Sequence, residues 1–306
     1  MEFTQDMYPY RPTWSNTRIN LLQRCPRAFV LRYGLAKLTA HHPQGKMLGQ
    51  AFAIQSPWII MHQVVRHLVL DYIEDYVNGT IWSHDLIRIR FKQDYRKAIQ
   101  ARNQQIEQFQ QNDVDQAIFQ PAQPEHHLIE MGANSCINFV QNPNLRTLLA
   151  NGSIERLEPT NSIVMQKVRL YCSPDFVHHG TSGKTLIKLH LYGNLSRLER
   201  IHQASLLQHY GDRDSTVMQF SLAQRKWYVH KSKPNGFQRK QAMDMVHEDV
   251  KIMHDTFASV KKNNDLTKIP LADSYRACMN CNVRFICPAK DGYEQAKAEQ
   301  RVLMCQ

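Results

Sequence analysis

The sequence predicts an α/β fold in which helices flank a mixed β-sheet and a helical insertion precedes it. Apolar residues recur at helical spacing through 50–150, strand-like runs begin after Asn151-Gly152, and helical patterns return between and after the strands. Interleaved strands and helices are typical of α/β proteins. The predicted segments are an N-terminal segment over 1–49, a helical region over 50–150, an α/β core over 151–270 and a C-terminal cysteine segment over 271–306.

The first helix is expected to begin at Trp14-Ser15, because serine is a preferred N-cap residue. Pro26 has no backbone N–H and disfavours helical dihedrals in the residue before it. Cys25 should therefore lie at a helix end or kink. The histidine, proline and glycine content of 39–49 predicts a loop.

The later elements follow from periodicity and turn residues. Helices are predicted over 57–77, 85–111, 128–140, 143–150, 195–210 and 237–262. Strands are predicted over 154–158, 163–172, 184–192, 216–222 and 226–231, with a Gly-rich turn at 179–183.

The C-terminal segment carries a regular cysteine motif. Cys278, Cys281 and Cys287 follow a C-x2-C-x5-C pattern closed by Pro288. A C-x2-C pair sets two thiolates one metal-ligand bite apart, and the third can fold back over the same centre. Three thiolates do not complete a tetrahedral site or an iron–sulfur cluster. Cys25 is the strongest candidate for the fourth ligand, with Cys305 as its substitute.

Other interpretations of the cysteines remain open at this point. All-cysteine sites with C-x2-C spacing commonly bind zinc, although zinc motifs usually supply two close pairs, and no second pair exists here. Free buried cysteines are also common in protein cores. Disulfides fit less well, because the cysteine count of 7 is odd and a chain of 306 residues needs no such staples.

The charge balance favours a polyanionic partner. The chain has a formal net charge of +11 and a pI near 9.3. Its hydrophobic content of 42% suffices for a core, and no apolar run approaches the length of a membrane span. We therefore predict a soluble, cytoplasmic protein with no membrane partner.

Residues 224–240 concentrate this positive charge. The segment contains no acidic residue, and Trp227, Tyr228 and Phe237 interleave with its cations. Such a mixture suits a groove that follows a phosphate backbone with stacked bases, although a strand with inward aromatics and solvated charges has the same pattern. The candidate nucleic-acid-binding residues are Arg225, Lys226, Lys231, Lys233, Arg239 and Lys240.

Two motifs together resemble the iron–sulfur RecB-like nucleases of the PD-(D/E)XK superfamily, such as AddB-type nuclease domains and CRISPR-associated RecB-like exonucleases. They are Trp14-Ser15 through Cys25-Pro26-Arg27-x-Phe29, and Cys278, Cys281 and Cys287-Pro288. The resemblance implies a restriction-endonuclease-like mixed sheet. It also implies a [4Fe–4S] cluster held by Cys25, Cys278, Cys281 and Cys287 that joins the two termini, with zinc as the alternative.

The same resemblance locates a degenerate catalytic site. In the family, two carboxylates hold a divalent metal and a lysine orients the nucleophile. Asp175 matches the first carboxylate, whereas Lys188 occupies the acidic position and His190 the lysine position. An ammonium group at 188 would repel Mg²⁺ and is expected to pair with Asp175 instead.

We therefore expect a nuclease-fold protein without catalytic activity that binds single- or double-stranded DNA, or serves as a subunit of a DNA-processing complex. Two alternatives remain. One is an active Mg²⁺-dependent exonuclease or endonuclease with a displaced site, and the other is a redox-sensing module that binds a protein partner.

Overall fold

The computed structural model describes residues 13–37, 43–110, 124–157, 162–181, 183–193, 195–211, 213–263, 266–279, 281–289 and 292–304. These residues divide between two compact units. The terminal unit comprises Met1–Gln55, Arg102–Gln120 and His247–Gln306, and the sheet unit comprises Ser56–Ala101 and Pro121–Val246. The N-terminal and C-terminal segments expected from the sequence thus fall in one unit.

The helices of the described residues are, in chain order, α1 Asn16–Arg24, α2 Pro26–Tyr33, α3 Pro43–Ala53, α4 Pro57–Val77, α5 His84–Gln110, α6 Glu125–Val140, α7 Pro143–Ala150, α8 Arg197–Tyr210, α9 Gly236–Asn263, α10 Tyr275–Met279 and α11 Tyr293–Met304. The strands are β1 Thr13–Trp14, β2 Ser153–Arg156, β3 Ile163–Met165, β4 Val168–Leu170, β5 Phe176–Gly180, β6 Gly183–His190, β7 Thr216–Ala223 and β8 Lys226–Ser232. The predicted mixed α/β class is confirmed.

The terminal unit joins the beginning of the chain to its end. Ser15 caps α1 as predicted, its hydroxyl accepting from the Arg18 amide at 3.3 Å. The Trp14 indole donates to Asp249 of α9 at 2.8 Å. Phe29 of α2 is fully buried, with its ring 5.3 Å from that of Phe257 in α9. The first helices are therefore fixed to a segment more than two hundred residues away.

The predicted loop over 39–49 is wrong from Pro43 onward, because α3 begins there. Proline is tolerated in the first turn of a helix, where its missing N–H has no intrahelical partner. Leu48 and Ala51, three residues apart on one helix face, are both fully buried. Burial of that face outweighs the weak helix propensity of the glycines.

The sheet unit is built on a five-stranded sheet of order β2-β5-β6-β7-β8. The pairs β2–β5, β5–β6 and β7–β8 are antiparallel, while β6 and β7 run parallel across the crossover through α8. The Gly-rich turn between β5 and β6 was predicted. This sheet is mixed, as expected.

One face of the sheet supports the hydrophobic core. Ile187 and Leu189 of β6 pack with Phe220 of β7 and with buried residues of α4 and α6. The Phe139 ring of α6 lies 5.2 Å from Phe220, in an edge-to-face arrangement that aromatic pairs favour. The alternate residues of β6 consequently point to the opposite face, which is where the polar side chains lie.

The predicted single strand over 163–172 is instead a hairpin. β3 and β4 pair Ile163 with Leu170 and Met165 with Val168. Gln166 and Lys167 form the turn with φ values of 45° and 69°. Such turns normally use Asn-Gly or Asp-Gly, so two residues with long side chains gave no turn signal.

Within the described ranges, no helix is long and apolar enough to cross a membrane.

Candidate functional site

Asp175 lies immediately before β5 and is held against β6. Its backbone N–H donates to the Ile187 carbonyl at 2.8 Å, and its Oδ2 accepts the Leu189 N–H at 2.7 Å. The carboxylate therefore takes the place of a backbone acceptor where the β5–β6 ladder ends. The residue is 2% exposed, so its charge requires partners inside the protein.

Two cations supply those partners. Arg66 of α4 donates through Nη2 to Asp175 Oδ1. The Lys188 ammonium lies 3.4 Å from the same oxygen and donates to the Ser173 carbonyl at 2.7 Å. One carboxylate thus faces a guanidinium and an ammonium, and the group carries a net positive charge.

His190 lies two residues further along β6 on the same face as Lys188. Its Nε2 is 3.4 Å from the Gln219 amide nitrogen, so the imidazole accepts and the amide donates. Burial, reinforced by the Lys188 charge, lowers the pKa of His190 to about 4. The ring is therefore neutral at neutral pH.

The predicted trio of Asp175, Lys188 and His190 does come together. The Asp175–Lys188 contact forms as expected, and His190 interacts electrostatically with both residues. Sequence reasoning missed Arg66, which lies 109 residues before Asp175. The available signal was a single arginine within the apolar run of the 57–77 helix.

The basic segment surrounds β8. Lys226, Lys231 and Lys240 have exposed side chains. Arg225 is also exposed, and its Nη2 lies 3.2 Å from His127 Nε2. These four cations are available to an anionic ligand.

The other two predicted contacts are engaged within the protein. Arg239 donates through Nη1 to the Gln208 side chain at 3.1 Å and to the Pro234 carbonyl at 2.8 Å. Lys233 lies 3.8 Å from Asp214 in a solvent-exposed pair. Arg239 therefore fixes the start of α9, and Lys233 is partly neutralised.

The aromatic residues of the segment separate into two groups. Trp227 turns toward the core, where its indole donates to the Ser135 carbonyl at 2.8 Å. Tyr228 and Phe237 remain 37% and 70% exposed. Only the latter two could contact a ligand.

In the terminal unit, Cys25 is the junction of α1 and α2. It is the C-cap of one helix and the N-cap of the next, with φ −161° and ψ 98°. The expectation of a thiol at a helix end is confirmed. The Ala28 N–H donates to Cys25 Sγ at 3.4 Å, which favours a thiolate at this position.

The three C-terminal cysteines follow one another through tight turns. Cys278 lies in α10, the Cys281 amide donates to the Cys278 carbonyl at 3.1 Å, and Cys287 follows a short 3₁₀ helix. Cys281 and Cys287 both interact electrostatically with Cys25 and Cys278. The structure therefore gathers all four predicted thiols in one region.

Arg27 of α2 contacts the C-terminal segment of the terminal unit. Its buried guanidinium donates to the Ile269 carbonyl at 2.7 Å and the Thr267 carbonyl at 3.0 Å. Its Nη1 lies 4.0 Å from Cys287 Sγ. A guanidinium beside sulfur stabilises thiolate charge, and the residue stands two positions after Cys25.

The protonation of the thiols reflects their burial. Burial raises the pKa of Cys25 and Cys278, and raises that of Cys281 to about 11. Among the residues that the structure describes, no group of three or more His, Cys, Asp or Glu side chains is set closely enough to hold a metal ion. In this arrangement burial favours the protonated thiol at Cys25, Cys278 and Cys281.

The remaining cysteines belong elsewhere. Cys136 and Cys172 are buried in the sheet unit, and burial raises the pKa of both thiols, that of Cys172 to about 11. Both are free cysteines of the protein core. The substitute ligand Cys305 lies outside the described residues.

No family model matches the chain, and no curated protein matches it. The chain is similar to the crystal structure of SSO0001 at 12% sequence identity, over 74% of this chain and 97% of that one, with a TM-score of 0.30. The assignment of the site therefore depends on this chain's own residues.

Proposed function

We propose that this protein binds DNA through a nuclease-like core without cleaving it, alone or as a subunit of a DNA-processing complex. The observation that carries the proposal is the Asp175 carboxylate held by Arg66 and Lys188. The [4Fe–4S] cluster expected at the four thiols is part of the same proposal, with a structural role.

The electrostatics of Asp175 support the absence of metal-dependent cleavage. Mg²⁺ prefers oxygen ligands and usually binds through one or two carboxylates. Here one carboxylate oxygen faces Arg66 and Lys188, and the other accepts the Leu189 N–H. A divalent cation would have to approach two fixed positive charges at short range, where Coulomb repulsion is large.

The donor chemistry of the thiol region suits an iron–sulfur cluster. Cys25, Cys278, Cys281 and Cys287 would be its ligands, since sulfur donors select iron–sulfur clusters or zinc. When bound, the cluster would supply a covalent link between the first helices and the C-terminal segment. The N–H of Ala28 and the guanidinium of Arg27 would stabilise the thiolates. Because burial raises the pKa of Cys25, Cys278 and Cys281, binding would release protons from these thiols.

Charge and exposure support DNA as the partner. Lys226, Lys231 and Lys240 project from β8 and the start of α9, in a chain of net charge +11. Basic side chains that contact phosphates release counterions and make binding strongly salt-dependent. Arg239 is left out of this set because its guanidinium supports the turn before α9.

The experiment combines cleavage and binding on one anaerobically prepared sample. Single- and double-stranded DNA are incubated with Mg²⁺ or Mn²⁺, and affinity is titrated across salt concentrations in parallel. We expect binding without cleavage. The Lys226→Gln, Lys231→Gln, Lys240→Gln variant should weaken binding and flatten the log-affinity against log-salt slope by up to about 0.9 per lost contact on duplex.

The matched control removes three exposed cations elsewhere in the sheet unit, as Arg88→Gln, Lys92→Gln, Lys97→Gln on α5. This control variant lowers the net charge by the same amount as the variant at Lys226, Lys231 and Lys240. If both variants weaken binding to the same degree, net charge alone drives association. Robust Mg²⁺-dependent cleavage that Asp175→Ala abolishes would establish an active nuclease, and absence of binding to either DNA form would remove DNA as the partner.

A further inference from the structure

A stripe of side chains runs along one face of α4 toward Asp175. Trp58, His62 and Arg66 follow at four-residue intervals, so they stand one above another on the helix. Eight residues of α-helix span about 12 Å. The stripe begins with an indole at the start of α4 and ends with the guanidinium that binds Asp175.

Tyr192, two residues after β6, is the third ring of a row of tilted rings, called the stack below. The Trp58 and His62 ring centroids are 4.5 Å apart with their planes at 58°, and those of His62 and Tyr192 are 5.2 Å apart with their planes at 35°. His62 is the middle ring, 4% exposed, and its Nδ1 bonds the Trp58 carbonyl at 2.9 Å. The helix and the strand end therefore hold the stack in place.

The outer rings are open to solvent. Trp58 is 44% exposed and Tyr192 is 64% exposed, whereas Trp14 and Trp82 are 1% and 4% exposed. Large aromatic rings stabilise the fold chiefly through buried area. A fixed stack that leaves this much ring surface uncovered offers contact area to a ligand.

The charge beside the stack is positive. Arg66 stands one helical turn after His62 on the same face of α4, and its charge opposes the rise that burial produces in the pKa of the Tyr192 phenol. Arg66 and Lys188 together exceed the single charge of Asp175. Arg66 uses one terminal nitrogen on that carboxylate and has further N–H donors.

Open aromatic faces beside a cation are the two components of sites for single-stranded nucleic acid. Bases stack on the rings, and the cation contacts the phosphate. Aromatic side chains also occur in protein interfaces, but the excess of positive charge favours a polyanion. A duplex keeps its bases stacked on one another and cannot use the rings in this way.

We propose that the Trp58–His62–Tyr192 stack, with Arg66 beside it, is a base-stacking site for unpaired bases of DNA. This inference rests on the proposed DNA-binding function and adds the strand form and the residues that recognise it. His62 positions the two outer rings, and those rings contact the bases.

Tryptophan fluorescence reports directly on this site. All four tryptophans lie in the described part of the chain, and of these Trp58 alone is exposed. A single-stranded oligothymidylate should quench the emission of the full chain, while a duplex of equal length should quench it little. Trp58→Leu and Tyr192→Leu should each weaken single-strand affinity about 10-fold or more, because each stacked base is worth about 1–3 kcal/mol. Duplex affinity should not change.

Two controls separate stacking from loss of structure. Trp58→Phe and Tyr192→Phe keep a ring and should retain most of the affinity. Tyr171→Leu removes a ring that is 41% exposed outside the stack and should leave single-strand affinity unchanged.

The outcomes distinguish this site from the general function. Unchanged single-strand affinity in both leucine variants, or an equal loss of duplex affinity, would overturn the stacking site while DNA binding stands. Binding of the unmodified protein to duplex alone would also overturn the stacking site while DNA binding stands. The exposed rings would then be assigned to a protein partner. Binding to neither form overturns both proposals.

Discussion

The thiol region of the terminal unit and the Asp175 region of the sheet unit both contain buried acidic groups, but they differ in what neutralises those groups. Asp175 is a single hard donor whose charge is already neutralised by Arg66 and Lys188. The four thiols, with Arg27 near one of them, are the ligands that we propose for a metal cluster. The comparison teaches that a lone buried carboxylate with two cationic partners of its own is a poor candidate for a metal ligand.

The largest expected effect tests the thiol side of this comparison. Cys25→Ser should lose bound iron as completely as Cys281→Ser, because each removes one of four ligands. The unmodified protein should carry about four iron atoms per chain, the content of one [4Fe–4S] cluster. Metal analysis of anaerobically purified protein measures this directly.

Cys136→Ser and Cys172→Ser serve as matched controls, since both thiols are buried in the sheet unit. Each should keep its full iron content. Iron that survives Cys25→Ser but not Cys305→Ser would contradict the predicted ligand set. Zinc in place of iron would support the same four cysteine ligands but identify the cofactor as zinc.

The second effect tests the Asp175 side. Asp175→Ala removes a carboxylate that is 2% exposed and leaves Arg66 and Lys188 facing each other. Removing one partner of a buried ion pair typically costs about 3–5 kcal/mol, because the remaining charge is uncompensated. The free energy of unfolding should fall on this scale in denaturant titrations.

Asp71→Ala is the control for an exposed pair. Asp71 bonds Arg156 at the surface, and Arg156 keeps Glu74 as a partner at 2.9 Å. Its loss should change stability by no more than about 1 kcal/mol. Equal effects from both substitutions would show that Asp175 is not the neutralised, buried charge that distinguishes the two regions.

Sequence reasoning succeeded where the cause was local. The Cys25-Pro26 step determines a helix junction through proline sterics, and the Asp175–Lys188 contact follows from strand alternation and the short β5–β6 turn. Both depend on residues close together in sequence. The hairpin at Gln166-Lys167 was also local, but its positive φ values occur in residues that do not normally signal them.

Arg66 could not be predicted in the same way, because only tertiary packing brings α4 to Asp175. Arg66 also bears on any attempt to build a metal site at Asp175. Lys188→Glu with His190→Lys would recreate the motif of the nucleases that the sequence resembles, but it would leave the Arg66 guanidinium on the Asp175 carboxylate. We expect that Arg66→Gln would also be needed before Asp175 could accept a divalent cation.

The smallest predicted effect concerns the pH dependence of the sheet unit. His190 is neutral in the folded protein because burial and Lys188 lower its pKa to about 4, below the ordinary value of 6.5. Between about pH 4 and pH 6.5, His190 is protonated in the unfolded chain but stays neutral in the folded protein. Stability is therefore unaffected by this group above about pH 6.5 and decreases as the pH falls toward 4.

A His190→Gln variant removes this titration and retains a polar group opposite Gln219. Its free energy of unfolding should fall less steeply than that of the unmodified protein, by up to about 1.4 kcal/mol per pH unit in that window. Because burial also lowers the pKa of His62, His209 and His230, the difference between the two proteins is the relevant quantity. Parallel stability curves from pH 7 to 4 would mean that His190 becomes protonated at the same pH in both states. The polar face beside Asp175 would then be open to water.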